Sequence, residues 1–243
     1  MVYDRVVYTA VLVILVVGCG DTSTSETKEA QPPVTWQSAF DAEQVGAFLS
    51  VWGTSSSDVW TVGGPDMTTG RVWHFDGENW DPVQVDDGPL VNWGHGAGSV
   101  MWMVGNEGRI LRRQGTGEFE PVESGQDQNL WGVWAASEDE AFAVGGDPLT
   151  TGDPDPIILH FKDGQWNRVA VPETEQSFKA LFKVWGTSPT NVYAVGANGV
   201  ILHFDGARWV QQASGTARDF ISLWGTGPNE IMAVGGRANG LIA

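Results

Sequence analysis

An all-β fold built from one repeated unit is the fold class that this 243-residue sequence predicts, and three observations predict it. Short apolar runs of strand length alternate with Gly-rich turns over most of the chain. Each repeat contains a tryptophan in its first run. These anchoring residues are Trp52, Trp93, Trp134, Trp185 and Trp224, separated by 41, 41, 51 and 39 residues. A period of about 40 residues is typical of a β-propeller with one four-stranded antiparallel blade per repeat.

The fourth repeat shows how one blade is expected to form. Phe182–Gly186 predicts strand one, and Val192–Val195 predicts strand two after a turn that contains proline. Val200–Phe204 predicts strand three. The dipeptide Asp205-Gly206 that follows is a strong signal for a hairpin into strand four. Four short strands joined by turns predict an antiparallel sheet.

Three histidines recur at one position of the repeat, which indicates a structural role for them. His74, His160 and His203 are each followed by Phe just before the turn into strand four. Arg112 takes the same position in the second repeat, which argues against a shared metal or catalytic role. His95 has no counterpart in this alignment, and no residues at metal-ligand spacing accompany it.

The two ends of the repeat region predict how the ring closes. The fifth repeat stops at Gly240–Ala243, partway into strand three, while Val34–Phe40 resembles a strand four without its own blade. Pairing of these segments would close a five-bladed propeller and remove an open sheet edge. The alternative is a truncated copy of a larger propeller.

The N-terminal segment predicts processing and lipid attachment. Residues 1–19 contain the apolar run Val6–Val17, which is shorter than the roughly 20 residues needed to span a bilayer and suits a signal peptide. Cys19 is the only cysteine and follows a small residue, as in a bacterial lipobox, so it is the expected lipid-attachment site. Residues 20–33 predict a disordered tether, and residues 34–243 the propeller. Gly20 after Cys19 resembles the sorting pattern of outer-membrane lipoproteins, so we expect a bacterial cell-envelope protein at the outer membrane or cell surface.

Charge and residue placement exclude several functions. The net charge of −17, with 13 basic and 30 acidic residues, excludes binding along nucleic-acid phosphates. The arginines occupy no repeated position, and Tyr193, the only tyrosine outside the signal, lies at an expected core position, so no sialidase-like site is indicated. A pair of glycosidase carboxylates remains an open alternative. We expect a monomer without catalysis, metal or cofactor.

Two expanded connections between strands two and three are the candidate binding loops. They are Gly64–Gly70 and Gly146–Pro156, and both contain the sequence T-T-G. Long loops on a rigid scaffold often carry recognition. The candidate residues are the polar side chains of these loops: Asp66, Thr68, Thr69, Asp147, Thr150, Thr151, Asp153 and Asp155. The oxygen ligands of the aspartates leave calcium binding open, although their spacing matches no known calcium-binding loop.

The tryptophans indicate packing rather than a sugar platform. Eleven of the thirteen recur at three positions of the repeat, as expected for packing between blades. Trp73 and Trp131 fall outside these positions, and we expect both to pack in the core as well.

The repeat V-W-G-T-S-x-x-D-V-Y-A-V-G-x-x-G-x-I-x-H-F-D-G-x-x-W resembles the BNR-type, Asp-box-like repeats of secreted bacterial propellers. These include photosystem II assembly factor-like proteins, and the resemblance covers about 200 residues. It departs from a true Asp-box in the His-Phe that precedes Asp76 and Asp205. The resemblance implies the fold, while the expanded loops and Cys19 predict a lipid-anchored, extracytoplasmic module that binds a protein or glycan. The alternative is a secreted sialidase- or glycosidase-like enzyme.

Overall fold

The computed structural model describes residues 37–41, 45–66, 68–236 and 240–243. The predicted signal peptide, Cys19 and the tether lie outside these residues. The described chain forms an all-β arrangement of five antiparallel sheets, each built from strands that are consecutive in sequence. This confirms the predicted propeller of four-stranded blades.

The first four blades have four strands each. Blade one contains β1 (Ala47–Ser55), β2 (Asp58–Asp66), β3 (Thr69–Phe75) and β4 (Trp80–Val83). Blade two contains β5 (Val91–Ala97), β6 (Val100–Gly105), β7 (Ile110–Gln114) and β8 (Glu120–Pro121). Blade three contains β9 (Leu130–Ala135), β10 (Ala141–Gly145), β11 (Ile157–Lys162) and β12 (Gln165–Arg168). Blade four contains β13 (Leu181–Ser188), β14 (Asn191–Gly196), β15 (Ile201–Phe204) and β16 (Trp209–Gln212). Blade five contains β17 (Phe220–Gly227), β18 (Glu230–Gly235) and β19 (Leu241–Ile242).

Successive blades pack face to face through apolar side chains. The described residues form four apolar clusters, one at each interface from blade one through blade five. The large residues Trp102 and Phe142 on the second strands are completely buried at these interfaces. Burial of a large apolar side chain contributes about 1.5–3 kcal/mol, so these interfaces account for much of the stability of the fold.

The pairing of strands one and two corrects the predicted alignment of the second repeat. In the other four blades the anchoring tryptophan lies opposite a large residue of strand two. These pairs are Trp52–Trp60, Trp134–Phe142, Trp185–Tyr193 and Trp224–Met232. In blade two the residue opposite Trp102 is His95, and Trp93 lies opposite Val104. The anchor assigned to Trp93 is therefore wrong, and His95 takes its place.

The register explains why a glycine follows most of the anchoring tryptophans. A Cβ added at Gly96 would lie 2.6 Å from the carbonyl oxygen of Val100 in its own blade and 2.7 Å from the indole of Trp52 in the preceding blade. A Cβ added at Gly225 would lie 2.5 Å from the carbonyl oxygen of Glu230 and 2.9 Å from the indole of Trp185. Real Cβ atoms essentially never make contacts shorter than 3.0 Å, so a side chain at these positions would displace both strand two of the same blade and the indole of the preceding blade.

Blade three differs at this contact in a complementary way. Its residue at the glycine position is Ala135, and the residue that faces it from blade two is His95. The backbone N–H of Ala135 donates a hydrogen bond of 3.1 Å to Nδ1 of His95. The imidazole is smaller than an indole, so a methyl group fits where the other interfaces admit only hydrogen.

The repeated histidines stack on strand two and bind its first residues, as their expected structural role requires. Each imidazole Nε2 hydrogen-bonds a side-chain oxygen at the start of strand two. The pairs are His74–Asp58 at 2.9 Å, His160–Glu140 at 2.8 Å and His203–Asn191 at 2.7 Å. The same rings stack on Trp60, Phe142 and Tyr193, with centroids 4.1, 4.2 and 4.4 Å apart. These contacts hold the end of strand three on the beginning of strand two.

The predicted closing strand remains a prediction. Residues 34–36 lie outside the described part of the chain, and residues 37–40 are not in a strand. The ring of Phe40 packs on blade one, with centroids 4.7 Å from Phe48 and 5.3 Å from Trp73. In blade five, the side chains of Trp224 and Ile242 are 63% and 72% exposed.

No helix within the described ranges has the length and apolar character to cross a membrane.

Candidate functional site at the channel mouth

A cavity opens where the first strands of the five blades begin. Its volume is about 550 Å³, and residues of all five blades line it. The apolar and cationic members that matter most are Leu49, Trp93, Trp131, Leu149, Lys183 and Ile221. We call this cavity and its rim the channel mouth.

The blades differ at one register position of strand one, two residues before the residue that pairs with the large side chain of strand two. In blades one, three and five this position holds a small residue, namely Ser50, Gly132 and Ser222. Blades two and four place Trp93 and Lys183 there. A Cβ at Gly132 would lie 3.2 Å from Cα of Lys183, so blades three and four are in close contact at this level. Because Gly132 has no side chain, Lys183 reaches past blade three to Trp93.

Lys183 is a largely buried lysine whose amino group lies over an aromatic ring. It is 7% exposed, and its Nζ lies 2.9 Å from the centroid of the Trp93 ring. None of the ion pairs within the described residues includes Lys183. Burial lowers the pKa of Lys183 to about 7. The cation–π contact stabilises the charged form only in part, since a buried ammonium ordinarily requires an anion or several hydrogen-bond acceptors.

Asn92, next to Trp93, presents a polar group that is also incompletely bonded. Its Nδ2 donates hydrogen bonds to Oδ1 of Asn106 at 3.0 Å and to the carbonyl of Leu130 at 2.9 Å. Its Oδ1 is buried and has no hydrogen-bond partner among the described residues. Buried acceptors are normally satisfied, so this oxygen is an exception in the wall of the cavity.

The rim of the channel mouth is apolar and is held in place by one tryptophan. Nε1 of Trp131 donates a hydrogen bond of 2.8 Å to the carbonyl of Gly146, at the start of the connection from β10 to β11. The Trp131 ring meets Phe182 edge-on, with centroids 6.4 Å apart. Leu149 is 86% exposed and Leu49 is 45% exposed on the rim. The expectation that Trp131 packs in the core is therefore met only in part.

The first predicted binding loop, Gly64–Gly70, is a hairpin extension rather than a long loop. Strands β2 and β3 continue into it, and Asp66 pairs with Thr69 across the turn. Oδ1 of Asp66 accepts hydrogen bonds from the backbone N–H and the hydroxyl of Thr68, at 2.9 and 2.8 Å. These bonds hold the pKa of the exposed Asp66 below its ordinary value. None of these three residues lines the channel mouth.

The second predicted loop, Gly146–Pro156, separates into two parts. Asp147 lies on the channel mouth, and its Oδ1 accepts the backbone N–H of Leu149 at 2.9 Å. Asp155 instead forms an ion pair with Arg168 and accepts a hydrogen bond of 2.9 Å from Nε2 of Gln128. The structure therefore does not gather the predicted aspartates into one site.

The remaining candidates of this loop are exposed or serve the backbone. Thr151 and Asp153 are exposed. The carbonyl of Thr150 accepts a hydrogen bond of 2.5 Å from Nζ of Lys179. Within the described residues no three His, Cys, Asp or Glu side chains are grouped in a way that could hold a metal ion.

Lys183 and Asn92 are candidate functional residues that the sequence analysis did not identify. A signal for Lys183 was present, because it is a long cation at a repeat position that otherwise holds small residues in three blades. The alignment of the second repeat on Trp93 obscured this difference, because it assigned Trp93, the residue that Lys183 contacts, to packing between blades.

Comparison with known proteins supports the fold. No protein-family model matches the chain, and no curated protein is similar to it. One similar solved structure is described as YCF48 bound to D1 peptide, with 19% identity, 81% of this chain and 63% of that chain covered, and a TM-score of 0.55. The WD40 propeller domain of Doa1 is 13% identical over 82% of this chain and 68% of its own, with a TM-score of 0.57. YCF48 from Cyanidioschyzon merolae is 15% identical over 77% of this chain and 64% of its own, with a TM-score of 0.55. The chain thus spans less than two thirds of the length of both YCF48 structures.

Proposed function

We propose that this chain is an interaction module that binds a segment of a partner protein at the channel mouth. The observation that carries the proposal is the cavity itself, to which all five blades contribute and which combines aromatic walls with buried polar groups. Its volume of about 550 Å³ falls within the range of roughly 300–1,000 Å³ that is common for ligand sites.

The exposed side chains of the rim support a protein ligand. Leu149 and Leu49 offer apolar surface to a partner, and Trp131 beside them offers a large ring. Aromatic and apolar side chains at the centre of a contact supply most of the energy of protein recognition. One of the similar propellers, YCF48, was solved with a peptide bound, which is in keeping with this use of the fold.

We propose binding rather than catalysis at the channel mouth. Of its two carboxylates, Asp147 accepts the N–H of Leu149, and Asp219 accepts the N–H of Asn198 at 3.1 Å. Both therefore contribute to the shape of the rim. A glycan ligand is the alternative, because indole rings also stack on sugars.

Full-length protein panned against a random peptide library tests this proposal, with a glycan array and a glycosidase panel run in parallel. We expect selected peptides to bind, and Leu149→Asp to weaken binding about ten-fold by placing a charge in an apolar contact. The matched control is Val210→Asp on β16, another exposed apolar residue. Equal effects of the two substitutions would contradict binding at the channel mouth, and glycan binding without peptide binding would replace the protein ligand.

We further propose that Cys19 carries a lipid and that the propeller is anchored at the bacterial cell envelope. Two or more acyl chains give stable membrane attachment, whereas one chain gives marginal binding. The substitution Cys19→Ser should move the protein from the membrane fraction to the soluble extracytoplasmic fraction. Retention in the membrane without a change in mass would rule out lipid attachment at this residue.

A further inference from the structure

We propose that the channel mouth recognises a carboxylate on the bound segment and that Lys183 contacts it directly. This inference rests on the proposed function and names the chemistry of its ligand. It starts from an incompletely satisfied cation in a cavity that is otherwise lined by aromatic, apolar and amide groups and by the carboxylates of Asp147 and Asp219.

The position of Lys183 leaves it without the partner that its charge requires. An ammonium group has three N–H donors, and this one lies over the face of the Trp93 ring. The lysine as a whole is 7% exposed, and it lies on the wall of the cavity. A carboxylate that enters the cavity would supply both the missing charge and hydrogen-bond acceptors.

Packing does not explain a lysine at this position. Ser50, Gly132 and Ser222 occupy the same register position in three of the other four blades, and the strands form around these small residues equally well. A buried cation without an anion is unfavourable compared with an apolar residue of similar volume. A ligand that needs the charge gives a reason for the lysine.

The neighbouring groups define the ligand further. Oδ1 of Asn92 is a buried acceptor beside the cavity that has no hydrogen-bond partner among the described residues. Asp147 and Asp219 on the rim would repel a polyanion and favour a basic side chain close to the carboxylate. The expected ligand is therefore a single carboxylate with a basic residue beside it. The net charge of −17 on this chain likewise disfavours a ligand with many negative charges.

The protonation state of the amine is consistent with this role. Burial lowers the pKa of Lys183 to about 7, so that the empty site holds a mixture of charged and neutral amine near neutral pH. A bound carboxylate would favour the charged form and raise the pKa of Lys183.

A pair of small probes tests the inference on the full-length protein. The probes are 3-phenylpropionate and its neutral analogue 3-phenylpropanamide, followed by NMR of the lysine side chains and the indole N–H groups. We expect the acid to bind at least about ten-fold more tightly than the amide and to raise the pKa of Lys183 at saturation. Lys183→Met should abolish this preference. The matched control Lys162→Met, at a lysine that is 58% exposed, should keep it.

Each other outcome overturns the inference. Equal binding of acid and amide, no binding of either probe, or an undiminished preference in Lys183→Met would each exclude a carboxylate contact. If Lys183→Met does not fold, Lys183→Gln and the comparison of the two probes in the unsubstituted protein decide the matter.

Two peptide series identify the source of the carboxylate and separate this inference from the proposed function. Peptides with an internal Glu and an amidated end are compared with Gln peptides that have a free C-terminus. Binding without any preference for a carboxylate would overturn the inference alone. Failure of every library peptide to bind would overturn the proposed function.

Discussion

Exchange of His95 and Ala135 for the residues found at the other interfaces tests the corrected register of blade two. At two of those interfaces a Cβ at the glycine position would lie 2.7 and 2.9 Å from the indole of the preceding blade. His95→Trp would place an indole against the methyl group of Ala135 at a similar, forbidden distance. Overpacking of this kind destabilises a protein by about 1–3 kcal/mol.

A second substitution should relieve the first. Ala135→Gly alone should cost about 0.5–1 kcal/mol, because a glycine in a strand loses more conformational entropy on folding. Combined with His95→Trp it recreates the Trp–Gly contact, so the double variant should be more stable than the sum of the single effects by about 1–2 kcal/mol.

Urea unfolding followed by far-UV circular dichroism at pH 8 measures the four free energies of unfolding. The matched control reverses the exchange at the next interface, where a Cβ at Gly186 would lie 3.0 Å from Trp134 and 2.7 Å from the carbonyl oxygen of Asn191 in its own blade. Gly186→Ala should be destabilising, and Trp134→His should relieve part of its cost. Additive effects of His95→Trp and Ala135→Gly, within about 0.5 kcal/mol, would refute contact between these two residues.

Two further predictions concern pH and the loop at the rim. Burial lowers the pKa of His95 to about 4, below the unfolded value near 6.5, so its contribution to stability is present above pH 6.5 and is lost as the pH falls towards 4. Urea unfolding should therefore show the unsubstituted protein losing up to about 3 kcal/mol more than His95→Gln between pH 7.5 and 4, and parallel pH profiles would contradict a buried neutral imidazole. Replacement of residues 147–156 by the three-residue turn Ala-Asn-Gly of blade four should preserve the melting temperature, because the strands it joins are alike. It should weaken peptide binding by removing Asp147 and Leu149, and undiminished binding would place the site elsewhere.

The architecture was readable from the sequence because each blade repeats the same cross-strand partners. The strand register of blade two could not be predicted in the same way, because strand one of the second repeat contains two aromatic residues, Trp93 and His95, that could each be aligned with the other anchors. Only the strand partner decides between them, and Trp102 lies opposite His95. A single sequence does not contain that pairing explicitly.

The site was harder to predict than the fold because channel positions depend on irregular strands. A register shift between Leu181 and Lys183 interrupts the alternation that would otherwise show which side chain faces the channel. The loop residues were prominent in the sequence, yet their partners were not visible there. Asp155 binds Arg168 and Asp66 binds Thr68, so neither is directed at the channel mouth.

Site-specific photocrosslinking of a library-selected peptide tests binding at the channel mouth most directly. A benzophenone side chain at Leu149, on the rim, is compared with one at Ser56, in the exposed turn between β1 and β2 at the other end of strand one. We expect crosslinks at Leu149 that an excess of free peptide abolishes, and none at Ser56. Crosslinks at Ser56 alone, or at both positions equally, would contradict recognition at the channel mouth.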